Sequence, residues 1–295
     1  MSELKSRIKE GSFVITAEIV PPLSAGPDRI LAEAKSLGDK VTAINVTDAA
    51  AGRTTMSSFA AAAILAANGF EPVLQVTCRD RNRISLAGDL IGASAQGIRN
   101  VLILRGDDPK GGDQPDATPV FDLEAAELMA MTRDMVAKGE LPSERRIDPA
   151  PELFIGAADV PRAPDENWKS GPLLNKVAAG AGFLQTQFGF DLDTVRKYIE
   201  RLNDDGITEK LGVIIGVGPI RSAKSARWMN ENLFGVSVPE ATIARLEGAE
   251  KQHAEGKKIC AELIAGLREI KGVAGAHIMA PAQGPHDIAE VLESV

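Results

Sequence analysis

The chain has 295 residues, of which 44% are hydrophobic and 25% are charged, a composition typical of a soluble globular protein with a large buried core. Acidic residues outnumber basic residues by 41 to 33, and the formal net charge is −8. Charge therefore gives no reason for the chain to bind nucleic acid or an anionic membrane surface, and we expect a small-molecule ligand or a protein partner.

The N-terminal segment MSELKSRIKE is charged and lacks the apolar core of a signal peptide, which predicts a cytoplasmic protein. The longest apolar run, residues 59–67, is shorter than the roughly 20 residues that a membrane-spanning helix needs. The 2 cysteines are too few for a disulfide framework, and the 3 histidines show no metal-ligand spacing. We therefore predict no membrane span and no bound metal.

Short runs rich in β-branched residues alternate with longer helix-like segments along the whole chain. The predicted strands are residues 13–20, 43–47, 72–78, 100–106, 153–158, 183–190, 212–218 and 272–279. The predicted helices cover residues 27–38, 54–68, 82–97, 122–139, 171–181, 191–205 and 221–233, with further helices within 239–270 and a last one near 284–294. Asp122 and Asp191 each precede a predicted helix, where a short acidic side chain can cap free amides.

Near-continuous apolar strands joined by helices indicate a parallel sheet that is covered on both faces. An open doubly wound sheet fits this alternation as well. Eight units in 295 residues, with no glycine fingerprint after the first strand, favour a closed barrel. We predict an α/β fold, a single (β/α)8 TIM barrel spanning residues 1–295 with extra C-terminal helices. Residues 139–172 are polar and rich in proline, and are expected to form a long loop at each end of the fifth strand.

Polar residues collect at the ends of six predicted strands, which is where active sites of such barrels lie. The polar residues are Glu18, Asn45, Thr47, Asp48, Gln75, Thr77, Arg79, Asp80, Arg105, Asp107, Gln185 and Gln187. The glycines Gly106, Gly216 and Gly218 lie at the same strand ends. We expect Glu18, Asp107 and Gln187 to converge on one mouth. Partial removal of a carboxyl group from water favours its protonated form, so Glu18 is a candidate general acid.

Two other features have simpler interpretations. His277 lies inside an apolar strand and is interpreted as a core histidine whose hydrogen bonds are satisfied. Gly216 and Gly218 lie at the end of the seventh predicted strand, where many barrels bind phosphate, and this leaves a phosphate-binding barrel lyase as an alternative.

Eight segments of the chain together resemble the methylenetetrahydrofolate reductase family, which are flavin-dependent eight-stranded barrels. The segments are AEIVPP (17–22), INVTD (44–48), EPVLQVTCRDRNR (71–83), GIRNVLILRGDDP (97–109), PVFDL (119–123), KVAAGAGFLQTQFGFD (176–191), GVGPIRSAKSARWMNE (216–231) and HIMA (277–280). They follow the order of the family along nearly the whole chain. The segments TCRDRNR and SAKSARWMNE are most similar to the branch found in anaerobic and one-carbon-using bacteria.

The resemblance implies reduction of 5,10-methylenetetrahydrofolate to 5-methyltetrahydrofolate, with electrons passing from NADH or NADPH through FAD. The reverse oxidation during one-carbon catabolism stays open. The resemblance further implies that Glu18 is the acid that opens the methylene bridge to an iminium, that Asp107 faces the pterin and the flavin, and that Gln187 binds the pterin edge. The residues it places along the flavin are Thr47, Gln75, Arg105, Gly106, Asp107 and Lys176.

The chain departs from the enterobacterial members of the family at several positions. Those members carry histidine at the position of Gln75, arginine at that of Asn175, phenylalanine at that of Ala223, and a tyrosine and a histidine within the segment that here reads GAADVPRAP. Most of those groups contact flavin or substrate, so FMN or no flavin are alternatives to FAD. The branch likeness also leaves open a folate-binding barrel that needs a redox partner subunit, and a homo-oligomer.

Overall fold

The structure is a computed structural model that describes residues 1–280 and 284–295. It contains a closed barrel of eight parallel strands that neighbour one another in chain order. The strands are β1 (Val14–Ile19), β2 (Ala43–Val46), β3 (Pro72–Thr77), β4 (Asn100–Leu104), β5 (Phe154–Asp159), β6 (Phe183–Phe188), β7 (Gly212–Val217) and β8 (Val273–Ile278). The predicted barrel is confirmed, and the open sheet is excluded because β8 pairs with β1, with Thr16 opposite His277.

Eleven α-helices lie in the described part of the chain. They are α1 (Glu3–Lys9), α2 (Asp28–Leu37), α3 (Ser58–Ala67), α4 (Arg83–Ala95), α5 (Ala125–Lys138), α6 (Gly171–Ala178), α7 (Leu192–Asp204), α8 (Ala223–Asn232), α9 (Glu240–Glu247), α10 (Gln252–Arg268) and α11 (Pro285–Leu292). The predicted extra helices are therefore α9 and α10, which lie between β7 and β8, whereas α1 was not predicted. None of these helices is both long and apolar enough to cross a bilayer.

One of the two predicted helix caps is wrong. Helix α5 begins after Glu124, whose backbone amide donates to the carboxylate of Glu127 at 2.8 Å. Asp122 instead accepts hydrogen bonds from the guanidinium of Arg83, and this pairing lowers the pKa of Asp122 to about 2. The prediction for Asp191 is confirmed, because its side chain accepts a hydrogen bond at the start of α7.

The barrel interior has an apolar layer near the amino ends of the strands and a polar layer beyond it. The apolar layer, which also includes Leu4 of α1, consists of Val14, Ala43, Val73, Leu102, Phe154, Phe183 and Ile214. Side chains of a strand alternate between its two faces, so a residue two positions further along points the same way. Thr16, Asn45, Gln75 and Gln185 occupy those positions on β1, β2, β3 and β6, and all four are buried.

Helix α1 covers the amino end of the barrel. Its Leu4 is fully buried, and its Ile8 packs so closely on Gly212 that an added Cβ there would lie 2.5 Å from Ile8. The carboxylate of Glu71 accepts from the backbone amides of Glu3 and Leu4, each at 2.8 Å, and so satisfies free donors at the start of the helix. The amino end is therefore covered by a helix that is both packed and capped.

Replacing Leu4 by alanine should lower the free energy of unfolding by about 2 to 5 kcal/mol, because it opens a cavity under α1. The matched control is Leu23→Ala, since Leu23 is 77% exposed whereas Leu4 is fully buried. Urea denaturation of both variants measures the difference. Equal stability of the two variants would show that burial of Leu4 contributes nothing to stability.

Candidate active site

Glu18 lies near the carboxyl end of β1, and its side chain is 17% exposed. Its Oε2 atom accepts a hydrogen bond from Nε2 of Gln75 at 3.3 Å and lies 3.8 Å from Nε2 of His277. Both contacts are made by Oε2, so Oε1 has no partner among the described residues. One oxygen of this carboxyl group is therefore available to a substrate.

The polar layer below Glu18 is a connected set of hydrogen bonds. Asn45 and Gln185 exchange two bonds through their side-chain amides, at 2.6 and 3.1 Å. Nε2 of Gln185 also donates to the hydroxyl of Thr16 at 3.1 Å, and that hydroxyl lies 2.9 Å from Nδ1 of His277. His277 is buried and hydrogen-bonded, as expected of a core histidine, and in addition it lies beside Glu18.

Asp107 follows β4, and Gln187 lies near the end of β6. Both are at the same end of the barrel as Glu18. The carboxylate of Asp107 is exposed and accepts from the backbone amide of Ala51 at 2.7 Å. The side-chain oxygen of Gln187 accepts from the backbone amide of Phe188 at 3.0 Å. No contact among the described residues joins either of them to Glu18, so their convergence on one substrate stays a prediction.

Thr47 and Gly106 are two of the residues expected along a flavin. Thr47 is buried, and its hydroxyl has no hydrogen-bond partner among the described residues. Gly106 has a φ of +95°, and an added Cβ would lie 2.9 Å from Arg79 and 3.0 Å from Thr77. The backbone and its packing therefore account for glycine at position 106, whereas the Thr47 hydroxyl could be completed by a ligand.

Arg105 and Lys176, two further residues expected along a flavin, already have partners within the protein. The guanidinium of Arg105 lies 4.2 Å from the centre of the Phe121 ring and 3.5 Å from the carboxylate of Glu124. Because its side chain is 59% exposed, it is not fixed by burial. Nζ of Lys176 donates to the backbone oxygen of Ala158 at 2.6 Å, and thus lies at the end of β5.

Asp159 at the end of β5 was not predicted as a site residue. Its carboxylate lies 3.4 Å from Nζ of Lys176 and accepts from the hydroxyl of Tyr198 at 2.6 Å. Burial raises the pKa of Tyr198, so this hydroxyl remains a donor at neutral pH. Asp159 therefore holds Lys176 toward the carboxyl end of the barrel.

A group of four charged residues, Asp48, Arg79, Asp80 and Arg81, joins the segments that follow β2 and β3, and we call it the rim network. Oδ2 of Asp48 accepts from the backbone amide and the hydroxyl of Thr77, at 2.8 and 2.9 Å, and from the guanidinium of Arg81. Its other oxygen accepts from the hydroxyl of Ser58 at 3.0 Å. One buried carboxylate thereby connects the start of α3 with the segment after β3.

Arg79 extends the rim network to the segment after β4. Its guanidinium forms two bonds to Asp80, at 2.7 and 2.8 Å, and donates to the backbone oxygens of Ala49 and Asp107, each at 3.3 Å. Hydrogen bonding to Asp80 raises the pKa of Arg79, which is almost fully buried. The network therefore fixes the backbone of Asp107, and it borders a cavity of about 350 Å³.

Cys78 lies beside the rim network but is not suited to act as a nucleophile. It is fully buried, and burial raises the pKa of its thiol to about 11. A reactive cysteine needs an accessible thiolate, so this side chain serves packing instead.

Gly216 and Gly218, which motivated a phosphate site, are explained by packing. A Cβ at Gly216 would collide with the backbone oxygen of Thr186, and one at Gly218 with that of Met279. The strands approach too closely there for a side chain, so the two glycines give no support for a phosphate-binding lyase.

A larger cavity, of about 800 Å³, lies at the amino end of the barrel, and residues such as Thr42, Glu71 and Arg99 line it. None of the predicted site residues borders it. Because barrels of this kind carry their active sites at the carboxyl ends of the strands, we assign the site to the end that holds Glu18.

The sequence pattern marked Asp48 and Arg79 only as strand-end residues and His277 only as a core histidine, and it did not indicate Asp159. A signal for His277 was present, because closing the barrel brings the eighth strand against the first and so places this histidine beside Thr16 and Glu18. Asp48 and Arg79 act through contacts of the loops that follow the strands, and Asp159 acts through contacts with α6 and α7; such long-range contacts have no sequence signature.

The sequence matches the family model described as methylenetetrahydrofolate reductase over residues 3–293. It is 28% identical to "Probable methylenetetrahydrofolate reductase (NADPH)" of Caenorhabditis elegans, over 66% of this chain and 27% of that protein. It is 26% identical to "Methylenetetrahydrofolate reductase 2" of Schizosaccharomyces pombe, over 89% of this chain and 41% of that protein. It is 27% identical to "5,10-methylenetetrahydrofolate reductase" of Salmonella typhimurium, over 67% of this chain and 60% of that protein. The match thus spans less than two thirds of each of these relatives.

Solved structures that share the fold include the following two. One is an uncharacterised protein from Clostridium thermocellum that binds two copies of 5-methyl-5,6,7,8-tetrahydrofolic acid, with a TM-score of 0.65 and 15% identity over 99% of this chain and 97% of that one. The other is DmoA from Hyphomicrobium sulfonivorans, with a TM-score of 0.57 and 10% identity over 95% and 86%. At these identities the likeness shows the fold alone.

Proposed function

Because the chain belongs to the methylenetetrahydrofolate reductase family, we propose that it reduces 5,10-methylenetetrahydrofolate to 5-methyltetrahydrofolate with NADH or NADPH. The observation that carries the proposal is the carboxyl group of Glu18, which is partly buried at the carboxyl end of the barrel with Oε1 unpartnered among the described residues. That the Clostridium thermocellum barrel binds a methylated folate supports a folate as the substrate class.

In this proposal Glu18 works as a general acid. The methylene bridge of the substrate links two nitrogens, and it opens when the departing nitrogen receives a proton. Glu18 supplies that proton from Oε1, the oxygen that Gln75 and His277 do not contact. The bridge carbon becomes an electrophilic iminium, which accepts a hydride to become the methyl group. A positioned acid of this kind typically contributes about 10² to 10⁴ in rate.

Asp107 and Gln187 are proposed to bind the pterin. Its edge carries adjacent donors and acceptors, which a carboxylate and an amide can pair with through several hydrogen bonds. Each residue now accepts one hydrogen bond from a backbone amide, Asp107 from Ala51 and Gln187 from Phe188, and in this proposal its other polar side-chain atom pairs with the pterin. These local bonds hold the two side chains in place.

The residues at this mouth fit a flavin, and the unpartnered hydroxyl of Thr47 is the observation that supports it. Thr47 and Gln75 would hold polar atoms of the ring, and the cations Arg105 and Lys176 would suit the phosphates of FAD or FMN. A bound flavin supplies two-electron transfer between the nicotinamide and the folate.

A second candidate is direct hydride transfer from the nicotinamide to the folate without a flavin. It is favoured by the side chains of Gln75 and Lys176, which are already engaged with Glu18 and Ala158 inside the protein. A third candidate, a folate-binding subunit that works only with a redox partner, shares the same folate site.

One experiment separates these candidates. The purified protein is assayed with NADH or NADPH and 5,10-methylenetetrahydrofolate, in both directions, before and after addition of FAD or FMN, and its absorbance is recorded between about 350 and 500 nm. We expect folate-dependent oxidation of the nicotinamide that depends on flavin. Activity from a colourless protein that ignores added flavin selects direct transfer, and folate binding without turnover selects the partner-dependent subunit. A protein that binds no folate would overturn the proposal.

A further inference from the structure

We infer that His277 is a positioning residue for Glu18: its Nε2–H group holds Oε2 of the carboxyl group, and thereby leaves Oε1 facing the substrate. This inference rests on the proposed function, because it assigns a second residue to the same proton donor.

The first step is the tautomer of His277. In the amide orientation of the structure, Nε2 of Gln185 donates to the hydroxyl of Thr16, and the Asn45 amide pairs with Gln185 in a matching orientation. A hydroxyl that accepts from one side has its own proton free to donate to the other side. Among the described contacts, Nδ1 of His277, 2.9 Å away, is the acceptor available to that proton, so Thr16 donates to it. A neutral histidine whose Nδ1 accepts carries its proton on Nε2.

The second step is the direction of that proton. Nε2 of His277 lies 3.8 Å from Oε2 of Glu18, which is slightly longer than a hydrogen bond. Gln75 of β3 donates to the same oxygen at 3.3 Å. When Glu18 gives its proton to the substrate, the new carboxylate attracts both donors more strongly than the acid did. A small shift of the side chains then closes the gap, and the carboxylate is held by two donors.

The third step concerns burial. His277 is only 3% exposed. Among the described residues, Glu18 is the acidic residue whose side chain lies within 4 Å of the His277 ring. A polar group in a barrel core costs stability unless its hydrogen bonds are satisfied. Nδ1 is satisfied by Thr16, whereas the carboxyl group of Glu18 is the acidic group recorded within 4 Å of Nε2. A purely structural histidine would not need its second nitrogen aimed at the acid.

The test compares two substitutions that separate the two nitrogens. In His277→Gln the terminal amide lies near the position of Nε2 and can still donate to Glu18. In His277→Asn the shorter amide lies near the position of Nδ1 and can bond Thr16 but not reach Glu18. We expect kcat to fall roughly 10- to 100-fold in the asparagine variant, as for a displaced catalytic group, while KM for the folate changes little. The glutamine variant should retain most of the parent kcat.

Two outcomes overturn the inference. One is an equal loss of kcat in both variants, once thermal denaturation shows that both are folded. The other is a loss from His277→Asn that is just as large when Glu18 has already been replaced by glutamine, because a residue that acts through Glu18 has little effect in its absence.

A second measurement does not depend on catalysis, and so separates failure of this inference from failure of the proposed function. Nitrogen-15 NMR of the protein, which has 3 histidines, reports the tautomer of His277, with His277→Gln identifying its signals. We expect a protonated Nε2 and an unprotonated Nδ1. Thr16→Val should shift the Nδ1 signal, and Glu18→Gln should shift the Nε2 signal. A protonated Nδ1, or an Nε2 signal that ignores Glu18→Gln, would overturn the inference even in a protein that reduces no folate.

Discussion

Replacing Glu18 by glutamine should lower kcat for methylenetetrahydrofolate reduction by about 10²- to 10⁴-fold, while the affinity for folate changes little. Glutamine has nearly the same shape as glutamate and can keep the contact with Gln75, but its amide is not an acid at neutral pH. The loss should therefore appear in the chemical step. Steady-state kinetics measure kcat, and equilibrium titration with 5-methyltetrahydrofolate measures binding.

The control for this variant is Glu10→Gln, which removes an exposed carboxylate after α1, at the opposite end of the barrel. It should have the kinetics of the parent. If Glu18→Gln retained the parent kcat, the proton would have to come from another donor, and the assignment of this site would be wrong.

Replacing Asp48 by alanine should lower the free energy of unfolding by about 3 kcal/mol, because it removes one partner of a buried ion pair. The change leaves the guanidinium of Arg81 and the backbone amide of Thr77 without the acceptor that they share. Arg81 keeps its ion pair with Asp89 and is 18% exposed, so part of the cost is recovered, and we expect a value at the low end for such pairs. Urea denaturation measures the loss.

Asp116→Ala is the matched control, because Asp116 is an exposed aspartate in the segment between β4 and α5. It should leave stability unchanged. Stability equal to that of the control would mean that Asp48 contributes no more than an exposed side chain.

The barrel was predictable because its strands are short runs of β-branched residues at regular intervals. The apolar side chains of such runs favour burial in a core. The ends of the elements were less predictable. Residues up to 106 were expected in the fourth strand, yet β4 ends at Leu104 because Gly106 adopts a positive φ against Thr77. Asp122 was expected to cap α5, but its carboxylate instead pairs with Arg83, which lies in a distant part of the chain.

The site was predictable where strand geometry alone determines it. Glu18 and Gln75 lie on β1 and β3, and closure of the barrel brings both to its interior, where they share a hydrogen bond. The side chain of Asp107 follows its strand, and its present partner is the amide of Ala51 in another loop. Such contacts depend on the combined conformation of several loops, which local propensities do not determine.

The rim network has a consequence for protein engineering. Loops of barrel enzymes are often treated as independent modules that can be exchanged to alter specificity. Here Asp48 and Arg79 join three of them. A chimera that imports one loop from a relative would therefore remove hydrogen-bond partners from the other two loops. Productive exchanges at this mouth should require all three segments to be transplanted together, as a single cassette.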